Sequence, residues 1–305
     1  MTTIEKTAYR GWANCYRLAN RSVELIVTTD VGPRVIFFGF SGEENEFYEK
    51  PEDLGQTGGD QWRLFGGHRL WHAPEKPERT YYPDNHPVRI ETDAACVRLT
   101  AEAEANTGIE KTIEIELDAE APVVTVTHRL KNSGVWPVPL APWALSVMRA
   151  GGVAVIPHPP RAPWPEILTP LHSLALWSYT DMADPRWTWG EQYILLRQDP
   201  QNARPQKLGV HNTQGWIAYL RNGKAFVKRF DYQPDAAYPD LSSTVEVWTN
   251  HEMLEIETLG PYGPLEPGGT VAHRERWQLL RDIPAPTGDA AVEQYLVPAI
   301  QASIG

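Results

Sequence analysis

Apolar and polar residues alternate with a period of two along most of this chain. Between residues 88 and 130, the runs VRIET, CVRLTAEAE, GIEKTIEIEL and VVTVTHRLKN carry apolar side chains at every second position, with turn residues between them. Such alternation suits a strand with one face in a core and the other in water. Its recurrence roughly every 8–12 residues predicts an antiparallel sandwich and argues against alternating β and α units. Residues 9–17 and 22–28 predict two earlier strands, and Gly32-Pro33 a turn into an apolar strand that begins at Arg34. The stretches 41–60 and 66–87 predict irregular loops, and Asn222-Gly223 a hairpin. Residues 135–170 are rich in Pro and contain Trp136, Trp143 and Trp164; apolar runs on both sides predict strands joined by stiff corners. From Gly288 the pattern changes to GDAAVEQYLVPAIQA, the one good helix candidate, with Asp289 as its N-cap. The expected fold is all-β, one domain over 1–305, with few helices and a short C-terminal one.

The segment from Thr244 to Leu279 concentrates the chemistry. It holds two alternating runs, a Pro/Gly turn and a third run ending at Trp277. In its second run Leu254 and Ile256 share one face of a strand, while Glu255 and Glu257 share the other. Two acids flanked by Met253 and Leu259 predict the wall of a partly buried cleft, where a carboxylate can become a useful general base.

Composition narrows the alternatives. With 42% hydrophobic residues, 12 Trp and 12 Tyr, the chain has ample material for a core. A formal charge of −11 argues against nucleic acid and anionic membranes as partners. A secretory leader is not expected from MTTIEKTAYRGW, nor a transmembrane helix from any stretch. Cys15 and Cys96 are too scattered for a metal pair, which suits a reducing, cytoplasmic setting.

The loop GGHRLWHAPE offers His68, Arg69 and His72, within seven residues of Glu75, as binding groups, with Trp71 among them. Arg69 could hold a carboxylate or phosphate in a fork. Two histidines four apart mark zinc mainly on a helix, and the neighbouring Gly and Pro argue against one, so no metal is expected; no cofactor is expected either. Trp71, Trp143, Trp189 and Trp248 offer flat faces on which a ligand could stack, and Asp240 and Asn250 polar groups that could hydrogen-bond it. Lys207 and His211 are further polar residues of interest ahead of the GWIAYL run.

The C-terminal order of Glu257-Thr258, Leu265, Pro267-Gly268 and Trp277 resembles the galactose mutarotase-like superfamily, and in particular the aldose 1-epimerases. GGHRLWHAPE, GWIAYL, AYPD and EVWTN extend the likeness toward an uncharacterised bacterial branch. The resemblance implies a large antiparallel β-supersandwich whose concave sheet takes a small-molecule sugar. It also implies Glu257 as catalytic base, with His68, beside Gly66-Gly67, as the leading acid and His72 or His211 behind it. Arg69, Trp71, His72, Trp143, Asp240, Trp248, Asn250 and Glu255 are then the expected substrate-binding set. One departure stands out. Where aldose epimerases carry a mid-chain histidine, PLAPWALSVM has Trp143 and Ser146. A mutarotase and a sugar-binding protein that has lost the acid therefore both remain open.

Overall fold

Two large antiparallel sheets face each other in the computed structural model, which describes residues 1–302. The front sheet runs in the order Thr3–Tyr9, Trp12–Ala19, Val23–Thr28, Arg34–Phe40, His68–Ala73, Val138–Arg149, Met253–Leu259, Val245–Thr249, Gln206–Val210 and Leu174–Leu176. Gly263–Leu265 pairs beside it with Val138–Arg149. The back sheet runs Trp187–Trp189, Tyr193–Arg197, Val153–Pro157, Trp216–Arg221, Lys224–Phe230, Thr270–Arg281, Val123–Asn132, Ile109–Leu117, Cys96–Thr100 and Arg89–Thr92. The all-β sandwich expected from the alternation is therefore the observed architecture.

Inward side chains of both sheets interdigitate as the main core. At its centre Phe38, Phe47, Phe226 and Trp277 meet with ring centroids 5.5–6.1 Å apart. The Trp277 indole N–H also donates to Glu275 Oε2 at 2.7 Å. Removing this side chain empties a volume that neighbouring rigid rings cannot fill. Trp277→Ala is expected to cost about 3–5 kcal/mol of stability, read as a lower urea midpoint.

Two local expectations are corrected. The segment 66–87 is not all irregular, because His68–Ala73 is a central front-sheet strand with all six residues buried. A strand covered on both faces loses the polar/apolar alternation that reveals a half-exposed one. The C-terminal helix forms over 289–302, with a π-helical middle at Val292–Leu296, but Asp289 does not cap it. Its carboxylate instead accepts backbone N–H groups of Glu191, Gln192 and Tyr193, tying the helix start to a back-sheet turn. Val292, Leu296 and Ile300, spaced by four, pack the helix onto that sheet.

Candidate functional site

The outer face of the front sheet is hollowed at its middle. Strand register decides which side chains look into the hollow. Leu145 lies opposite both Arg69 and Glu257, and Glu257 opposite Glu246, so these four share one face. One step along, Trp143 pairs with Trp71 and Leu259; one step the other way, Glu255 pairs with Trp248 and Trp248 with Lys207. The sheet is the floor. Trp62, Glu75, Tyr81 and Tyr179 come from loops and complete the walls of a cavity of about 270 Å³.

Aromatic rings and charges are interleaved here. Arg69 stacks on Trp71, its guanidinium carbon 4.3 Å from the ring centroid, and pairs with Glu255 at 2.8 Å. Lys207 Nζ lies over Trp143 and Trp177 at 4.6 and 4.5 Å. That ammonium also stands 2.9 Å from Glu246, 3.5 Å from Glu75 and 4.0 Å from Glu257. The Trp143 indole N–H donates to Glu257 Oε2 at 2.7 Å. Several atoms are left without partners although buried: Glu257 Oε1, Arg69 Nε and Nη1, and Trp62 Nε1. Buried polar atoms normally find partners, so unmatched donors and an acceptor around one cavity suit a ligand that offers both.

Burial sets the charge states. It pushes Glu257 up to about 7, with Glu255 adding to the rise, against the pull of Lys207 and the Trp143 N–H. Glu246 is raised well above the usual carboxylate range by its own burial, despite Lys207. Burial works against the Lys207 charge, but Glu257, Glu246 and Glu75 outweigh it and hold the ammonium well above its ordinary value. Glu257 is thus a carboxylate of near-neutral basicity with one free oxygen, beside a fixed cation.

Of the residues singled out from sequence, Glu257, Glu255, Arg69, Trp71, Trp143, Trp248 and Lys207 line this cavity. The others do not. His68 cannot serve as an acid across from Glu257, because it occupies the opposite face of its strand. It is wholly buried between the sheets, 2.9 Å from Ser146 Oγ and 2.7 Å from His128 Nε2, and packs against Trp277. Burial, then His128, lowers its proton affinity well below that of a free imidazole. His72 follows the same alternation inward and bonds Glu104 at 3.1 Å and Arg79 at 3.0 Å. His211 sits outside the cavity on the Ser242 carbonyl and the Tyr232 ring. Asn250 is a turn residue whose Oδ1 accepts the N–H groups of Glu252 and Met253. Trp189 stacks on Trp187 and donates to the Met182 carbonyl. Asp240 lies in a tight turn, left-handed like Leu241 and Ser242, where its carbonyl accepts the Ser243 hydroxyl and its charge adds to the rise of Glu246. Among the described residues, no histidine lines the cavity.

Residues missed from sequence include Glu246, Trp62, Tyr81 and Tyr179, with Lys207 underrated. Glu246 was findable: counting outward from the four-residue turn Asn250–Met253 puts it opposite Glu257. Lys207 alternates with inward Leu208 and Val210, which placed it on an outer face but could not reveal its burial.

A second cluster lies between the sheets. Ligand atoms of His68, His128 and Glu275 fall within 4.8 Å of one another. The 2.7 Å between the two imidazole nitrogens is hydrogen-bond spacing, whereas two nitrogens on one tetrahedral zinc stand about 3.3 Å apart. Lys228 also occupies Glu275 at 2.7 Å. This group is a satisfied polar network in the core.

Comparison with known proteins agrees with this architecture. A family described as a domain of unknown function, DUF4380, matches residues 179–280. No curated protein matches. Among solved structures, a candidate aldose 1-epimerase from Klebsiella pneumoniae superposes with a TM-score of 0.63 at 12% identity, covering 98% of this chain and 87% of that one. A galactose mutarotase-like protein from Lactobacillus casei gives 0.58 at 8% identity, covering 88% and 100%. A TPR-domain-containing protein from Parabacteroides distasonis gives 0.60 at 14% identity; the match covers 93% of this chain but 54% of that longer one. The chain has a galactose mutarotase-like fold.

Proposed function

We propose that the protein binds an aldose in the cavity over Glu257 and interconverts its anomers, with Glu257 as base and Lys207 as the proton donor. The observation that carries this reading is the buried Glu257 carboxylate, one oxygen free, on the floor of an aromatic-walled cavity. Mutarotation needs a proton taken from the anomeric hydroxyl and one given to the ring oxygen. Both oxygens are bonded to the same carbon, so an acid and base 4.0 Å apart suit them. The ring opens, the aldehyde turns, and the reverse transfers close it. Trp248, whose ring carries neither cation, offers a flat apolar face to the C–H side of a pyranose. Arg69 and the Trp62 N–H offer donors for its hydroxyls.

A second reading, binding without turnover, has its own support. No histidine faces Glu257 among the described residues, and three carboxylates oppose proton loss from Lys207. Polarimetry on freshly dissolved aldoses, paired with calorimetric titration of each, separates the two. At least one aldose is expected both to bind and to equilibrate faster than in buffer. Binding with no acceleration would replace the enzyme by the binder, and no binding at all would remove both.

A further inference from the structure

Carboxyl groups outnumber cations in the cavity. Glu75, Glu255 and Glu257 line it and Glu246 stands in register beside Glu257, against Arg69 and Lys207. Both cations are already committed, Arg69 to Glu255 at 2.8 Å and Lys207 to Glu246 at 2.9 Å. Glu257 and Glu75 are the surplus, sharing Lys207 only at 4.0 and 3.5 Å. Glu75 has the Tyr81 hydroxyl as a donor, whereas Glu257 Oε1 has none. Lys228 lies behind the sheet and is spent on Glu275 and on the carbonyls of Ala144 and Ile256. Over this surplus stand tryptophan rings, whose faces also attract positive charge.

We propose that the aldose selected here carries an amino group, as a 2-amino-2-deoxyhexose does, and that phosphorylated sugars and uronic acids are turned away. This deepens the carbohydrate reading and rests on it. In such a sugar the ammonium sits on the carbon next to the anomeric one, so it enters the field of the same carboxylate that faces the anomeric hydroxyl. It supplies the counter-charge that lets Glu257 give up its proton and that Glu75 shares only at 3.5 Å, in surroundings where an ion pair is weakly screened. A phosphate brings a charge of about −1.5 to −2. Arg69 could receive it through Nε and Nη1, but on a guanidinium whose single charge Glu255 already balances at Nη2. The excess of carboxyl groups thus reverses the role that Arg69 suggested from sequence.

Calorimetric titration with glucosamine, glucose, glucose 6-phosphate and glucuronate, at a pH where the amine is charged, tests this. Glucosamine is expected to bind at least tenfold tighter than glucose, and the two anionic sugars at least tenfold weaker than glucose. Glu257→Gln and Glu75→Gln should each narrow the glucosamine-to-glucose ratio at least threefold. Glucose equal to glucosamine, an anionic sugar as the tightest ligand, or a ratio unmoved by both substitutions would overturn the proposal, while leaving the aldose reading intact. If no sugar binds, or if tetramethylammonium matches glucosamine, the aldose reading falls with it.

Discussion

Replacing Glu257 by glutamine should abolish anomer interconversion, with a loss of about 10²–10⁴-fold in kcat, while a neutral sugar still binds within a few-fold of the parent. The amide keeps the shape, and its oxygen can still accept the Trp143 N–H, but it cannot take a proton. Stability should move the opposite way. Because burial raises Glu257 from 4.5 to about 7, the folded chain favours the neutral carboxyl. Its contribution is therefore fullest below the ordinary value and is lost as pH climbs to the folded one. The variant escapes that loss, so its Tm advantage over the parent should grow between these limits and level off above them. Polarimetry and thermal melts over the same pH series check both halves. Retained activity would remove Glu257 as the base.

Lys207→Met should be the most damaging single change at the site. Lys207 is the shared counter-ion of Glu246, Glu257 and Glu75. Without it, two neighbouring buried carboxylates have no cation in contact, a situation that costs about 3–5 kcal/mol when a buried pair is broken. Glu257 should then hold its proton to a higher pH, moving the acidic limb of any pH–rate profile upward, and with the proton donor also gone turnover should fall at neutral pH. Adding Glu246→Gln in the same chain removes one stranded charge and should restore most of the stability but not the turnover. Urea unfolding at pH 8 decides it; a loss below about 1 kcal/mol would mean the lysine is not the charge anchor.

How much of this was legible beforehand follows from what alternation can report. Glu255 and Glu257 were readable as outward residues because Leu254 and Ile256 point inward on the same strand. The same rule, applied to HRLWHA, would have separated His68 and His72 from Arg69 and Trp71. Flanking glycine and proline hide that strand by making the segment look irregular, whereas both its faces are simply buried. A histidine expected at the sugar thus ended in the core, held by Ser146 and His128. Lys207 illustrates a deeper limit. A lysine on an outer face reads as solvated, and only the walls raised by distant loops make it a buried ion. Such enclosure is a tertiary fact, carried by Trp62, Tyr81 and Tyr179, which no local pattern links to residue 207.

Those walls also divide the labour of the site. Glu257, Lys207 and Glu246 ride on adjacent hydrogen-bonded strands, so shifting one means disturbing the central sheet. The rings above them hang on connecting segments that can lengthen, shorten or exchange residues at little cost to the framework. A lineage built on this plan can retune what it admits by rewriting the rim while the reactive floor is inherited unchanged.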